Sequence, residues 1–164
     1  MGGSIHVWGG ITRHNRTRLV VFNRNVNANV YVNEVLANTV VPFMHDNFPE
    51  KNGILQQDGA GPHTARVTQQ FITDNNISLL NWASMSPDMS PIVWDELKIR
   101  VYTRPHPPVN EQQLEQEWNA IDLSTARPKW RIDGPVLSGH LLYSLVNYAY
   151  ANPFHHRDNW SVIL

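Results

Sequence analysis

Apolar residues recur along the chain with two periods, one near two and one near 3.6, and the switches between them mark its elements. Ile5 to Gly9 and Thr17 to Phe22 have the β-branched and aromatic content of strands, and the polar turn Arg13-His14-Asn15-Arg16 between them predicts a hairpin. After Asn27, a predicted N-cap, Ala28, Val32, Val35, Leu36, Val40 and Phe43 fall on one helical stripe, which Pro42 is expected to kink or end. Ile54 and Leu55, followed by Gln56-Gln57-Asp58, predict a buried strand with an acidic tip, and Thr64 predicts the N-cap of a helix carrying Val67 and Phe71. A short strand is expected around Ile77 to Leu80. Ser90 as N-cap and Pro91 at the first helical position then open a helix with Val93, Leu97 and Val101 as its buried stripe. Past a Pro-rich loop from Arg104 to Pro108, Asn110 and Gln113 form the pattern of a capping box, and Leu114, Trp118 and Ile121 give a further amphipathic helix. Val136 to Tyr150 is apolar enough for a last helix, with Leu137, Leu141 and Leu145 on one stripe.

Composition narrows this little. With 164 residues, 41% hydrophobic and 16% charged, the chain is long enough for one domain with a real core. The net charge of −1 carries no overall signature of nucleic-acid binding, so any such contact rests on local groups: Arg13, Arg16 and Arg18 in the hairpin, Arg66, and Lys98, Arg100 and Arg104. Zero cysteines exclude disulfides and thiolate metal sites, and no apolar run is long enough to span a bilayer. His155-His156 has no third ligand at a helpful spacing and reads as an exposed tail. An intracellular, soluble protein of nucleus or cytoplasm is expected.

The chemistry concentrates between Gly53 and Val101. As an isolated acid at a strand end, Asp58 reads first as a turn former or helix cap, although ligand sites in open α/β sheets also form beyond the carboxyl ends of strands. The surrounding residues decide more. Gln57-Asp58-Gly59-Ala60-Gly61-Pro62-His63-Thr64-Ala65-Arg66 and, further on, Trp82-Ala83-Ser84-Met85-Ser86-Pro87-Asp88-Met89-Ser90-Pro91-Ile92 followed by Trp94-Asp95-Glu96-Leu97-Lys98 resemble the two core blocks of the mariner-like DDE transposases. Val7-Trp8-Gly9-Gly10 matches a further segment of that family.

The resemblance implies a ribonuclease-H-like α/β fold with a mixed sheet and flanking helices. It also implies magnesium-dependent cleavage and transfer of DNA ends, with three carboxylates holding two Mg2+ ions, one activating the attacking oxygen and the other stabilising the leaving one. Asp58 corresponds to the second carboxylate and is the implied catalytic and metal-binding residue. The third corresponds to Val93, which offers no ligand, so Glu96 and Asp95 are the candidate substitutes. The first lies, in the family, on a strand preceding Val7-Trp8-Gly9-Gly10 and is expected to be missing here. In the family that strand lies between the hairpin and the Asp58 strand. Without it, those two are expected to close on each other or to leave a marginally stable domain.

The resemblance therefore implies a partial catalytic domain over 1–121 and a divergent, loosely packed segment over 122–164. Cleavage is expected to be lost, with Mg2+ not held stably. Weak, non-specific DNA contact is expected through Arg66, Lys98 and Arg100, with transposase-like self-association a further expectation. The alternative is a non-catalytic nucleic-acid or protein binding module derived from a transposase.

Overall fold

A computed structural model describes residues 4–80, 92–103, 105, 108–124 and 141–151. The predicted hairpin is present: β1 (Ser4–Ile11) pairs antiparallel with β2 (Val20–Phe22), Val7 standing opposite Val21. A long helix follows. Asn27 caps it as predicted, its Oδ1 accepting from the Val30 N–H at 3.0 Å. It runs through α1 (Ala28–Val30), ten residues of wider, π-type turns (Tyr31–Val40) and α2 (Val41–Asn47). Pro42 does not end it. It falls where the wider turns give way to α2, inside the continuous helix, which runs on to Asn47.

Next come β3 (Ile54–Gln56), the single turn α3 (Gly61–Thr64), α4 (Arg66–Asp74) and β4 (Ser78–Leu79). Thr64 is not the N-cap of α4. Its hydroxyl donates to the carbonyls of Ala60 and Gly61 at 3.3 and 3.4 Å, closing α3, and extended Ala65 separates the two helical turns. Val67 is correspondingly exposed, and Thr68 and Ile72 form the buried side of α4.

The helix α5 (Ile92–Tyr102) buries Leu97 and Val101, as expected; Ser90, Pro91 and the Val93 side chain lie outside the described residues. In α6 (Glu111–Asn119) one arm of the predicted capping box is made, Asn110 Oδ1 accepting from the Gln113 N–H at 2.9 Å, while Gln113 Oε1 accepts from the N–H of Val109, one residue before the cap, at 3.0 Å. Leu114, Trp118 and Ile121 are all buried.

The last element overturns an expectation. Where a helix over Val136 to Tyr150 was expected, Leu141–Ala151 is a strand, β5, and it lies in the middle of the sheet, whose order is β2-β1-β5-β3-β4. It runs antiparallel to β1, from Ile11 opposite Tyr143 to Ser4 opposite Ala151, and parallel to β3, Leu55 standing opposite Leu142. The hairpin and the Asp58 strand thus neither close on each other nor leave a gap.

The result is a mixed α/β arrangement with one apolar cluster on each face of the sheet. Val7 and Ile11 pack with Leu97, Val101, Leu114, Trp118 and Ile121, the side covered by α5 and α6. Trp8, Leu55 and Leu142 pack with Tyr31, Val35, Leu36 and Ile72 on the other. No helix among the described residues is long and apolar enough to cross a membrane.

Candidate functional site

Asp58 sits just past β3, where the sheet ends and the chain turns into α3. Its carboxylate closes that turn by accepting from the Ala60 N–H at 3.0 Å. It also accepts from His63 Nδ1 at 2.6 Å, a contact that fixes the imidazole tautomer, since the carboxylate can only accept. The two partners differ in environment: the Asp58 side chain is 54% exposed and that of His63 only 2%. His63 is covered by Tyr31, whose ring centroid lies 4.3 Å away, and the Tyr31 hydroxyl donates to Gln57 Oε1 at 2.8 Å. Gln69 Nε2 donates to the His63 carbonyl at 2.6 Å. Asp58 is therefore tied through His63 to the long helix and to α4. The motif contained His63 without revealing its role, and Tyr31 lay outside the predicted stripe altogether.

Burial raises the Asp58 pKa, but the His63 hydrogen bond and charge and the Ala60 N–H outweigh it, leaving the carboxyl below its ordinary value. A carboxylate depressed by folding contributes stability above its unfolded pKa, and that contribution disappears as pH falls through the folded value. Because the carboxylate is half exposed, about 0.2–1 kcal/mol is expected. The urea midpoint of Asp58→Asn should accordingly lie below that of the parent at neutral pH, the two converging in acid. A difference that stays constant with pH would remove the charge from this account.

The remaining residues are dispersed. Glu96 on α5 accepts from Arg100 Nε at 3.0 Å one turn on, so each is engaged by the other. Asp95 lies in α5, its side chain outside the described residues. Arg66, the first residue of α4, is exposed, and Lys98 is half-buried. The hairpin arginines do not form one patch. Arg13 is exposed, but Arg16 reaches inward to the carbonyls of Trp118 and Ile121 at the end of α6, and Arg18 Nε donates to Thr39 Oγ1 at 3.2 Å. Among the described residues, no group of three His, Asp or Glu side chains stands together in a way that could hold a metal ion.

A carboxylate in a Gly/Pro-rich turn beyond an interior strand, within the first of the two sequence blocks above, agrees with what the chain is similar to. It is a transposase-related domain, with homologues among the Tc1/mariner-family transposases. The Tcb1 transposase of Caenorhabditis briggsae is 29% identical over 130 residues, 77% of this chain and 47% of that protein. The Tc1 transposase of Caenorhabditis elegans is 30% identical over 127 residues, 75% of this chain and 46% of that protein. The Tc3 transposase of Caenorhabditis elegans is 30% identical over 105 residues, 63% and 31% respectively. The matched stretch thus spans about half or less of each relative. No family model matches the chain.

Proposed function

We propose that the chain is a ribonuclease-H-like domain of transposon origin that does not cleave DNA and meets it only through weak phosphate contacts. One observation carries this reading. The strand β5 occupies the position that the family gives to the strand of the first carboxylate, between the hairpin and the Asp58 strand, antiparallel to the one and parallel to the other. Its sequence, Leu-Leu-Tyr-Ser-Leu-Val-Asn-Tyr-Ala-Tyr-Ala, contains no acid. A strand of this kind completes the sheet without completing the metal site.

The other donors point the same way. In the family, Mg2+ supplies activation of the attacking oxygen and charge neutralisation at the leaving one. Hard cations of this kind are held by several oxygens, whereas Asp58 spends its carboxylate on a histidine and a backbone N–H, and Glu96 is paired with Arg100. The residues described do not fit two such ions. Asp58 acts instead as the anchor of the turn between β3 and α4. For DNA, Arg66 and Lys98 offer phosphate contacts on a chain of net charge −1, which favours weak, salt-sensitive and sequence-independent association.

The test is a nicking assay on duplex carrying a transposon end, with Mg2+ or Mn2+, paired with a binding titration at two salt concentrations. The protein is expected to nick no faster than Asp58→Ala, and to bind terminal-repeat and random duplex alike, more weakly in salt. Cleavage that needs the metal and vanishes in Asp58→Ala would overturn the reading.

A further inference from the structure

The strand β2 lies at one edge of the sheet, so among the described residues only one side of its backbone is paired, with β1. Its other side floors an open groove of about 540 Å³, a size typical of sites that take a ligand. Consecutive residues, Leu19, Val20 and Val21, make that floor, and the Leu19 and Val20 side chains are buried in the two apolar clusters on opposite faces of the sheet. What the groove meets along β2 is therefore chiefly backbone, and alternate residues of an edge strand turn their N–H and C=O outward. One wall is the long helix, through Glu34 and Asn38; the other is α6, through Glu111 and Glu115. The groove is thus bounded as the place of one more strand would be, with a helix on either face.

The walls also carry charge. Glu111 and Glu115 stand one turn apart on the same face of α6, a pair of like charges that disfavours itself unless a cation comes between. Neither forms an ion pair among the described residues. The nearby arginines are already engaged: Arg24 pairs with Glu34, and Arg18 donates to Thr39. From these features we propose that the groove binds an extended, lysine- or arginine-bearing segment of a partner protein, which adds to the free edge of β2 as a further strand with its cations meeting Glu111 and Glu115. Backbone pairing holds the segment, and the wall carboxylates select its charge. The same carboxylates disfavour phosphate, so the occupant is a protein rather than a nucleic acid. The inference is independent of whether the domain cleaves or binds DNA elsewhere.

The probe is a short peptide of alternating Lys and Val, titrated into the isotope-labelled full-length chain and followed by NMR and amide hydrogen exchange. Saturable binding is expected, weakened by salt and slowing the exchange of outward amides within residues 19–22. It should be lost when the peptide's Lys residues are replaced by Glu, and equally when its backbone N–H groups are methylated, which keeps the charge but removes the ladder. Glu111→Lys/Glu115→Lys should weaken binding roughly tenfold, two attractive surface pairs becoming repulsive. A thermal melt checks that this variant is folded; should it unfold, Glu111→Gln/Glu115→Gln gives a smaller loss in the same direction. No saturable binding at millimolar peptide would overturn the proposal, as would binding that leaves the β2 amides unprotected. So would equal binding of the methylated or Glu peptide, an affinity unchanged in both charge variants, or duplex DNA protecting the same amides.

Discussion

Removing Leu141 to Leu164 is expected to abolish cooperative unfolding of the remaining chain. The segment contains the strand that pairs with both β1 and β3, so its loss exposes two backbone edges inside the sheet and uncovers Trp8 and Leu55, which pack in one cluster with Leu142. Each ladder hydrogen bond is worth about 0.5–1.5 kcal/mol net, while a whole domain is stable by only ~5–15 kcal/mol. Losing several at once therefore removes most of what holds the fold. A graded version needs no truncation: Leu142 is fully buried, and Leu142→Ala should lower the urea-unfolding free energy by about 2–5 kcal/mol. A truncated chain with an undiminished, sharp thermal transition would mean that β1 and β3 can pair directly, contrary to this strand order.

That strand is also where the sequence was least legible, for a physical reason. Leu137, Leu141 and Leu145 satisfy a helical spacing, and periodicity alone does not tell a short apolar strand from a helix segment. Its partners lie more than eighty residues away, so nothing local records the pairing. Local chemistry was read correctly where it governs the backbone. Asn27 and Asn110 cap helices because their short side chains reach a free N–H, and the hairpin follows from β-branched runs around a polar turn. Thr64 misled because a hydroxyl both donates and accepts. In the turn after β3 it donates to carbonyls behind it, leaving no cap for the helix ahead. At the site, Asp58 was found from its motif, but the groups that hold it were not, because Tyr31 and His63 meet only once the long helix is folded against the β3 turn.

The Val7-Trp8-Gly9-Gly10 segment illustrates how a motif becomes legible once its packing is known, and it leads to the second large expected effect. Trp118 is fully buried beneath β1, its indole Nε1 donating to the Thr17 carbonyl at 2.8 Å. Arg16 lies 6.0 Å over the ring and bonds the Trp118 and Ile121 carbonyls, so one residue fixes the hairpin, β1 and α6 together. Trp118→Ala should therefore cost about 3–5 kcal/mol, read as a fall in the urea midpoint. A Cβ at Gly9 would stand 2.8 Å from the Trp118 ring, so Gly9→Ala should cost about 1–3 kcal/mol by overpacking. The decisive measurement is the double-mutant cycle, because residues in contact are not additive. If the ring is what requires glycine, Gly9→Ala should become nearly neutral in the Trp118→Ala background, where the space has been vacated. An equal Gly9→Ala penalty in both backgrounds would place the need for glycine elsewhere in β1 and detach α6 from the explanation of the motif.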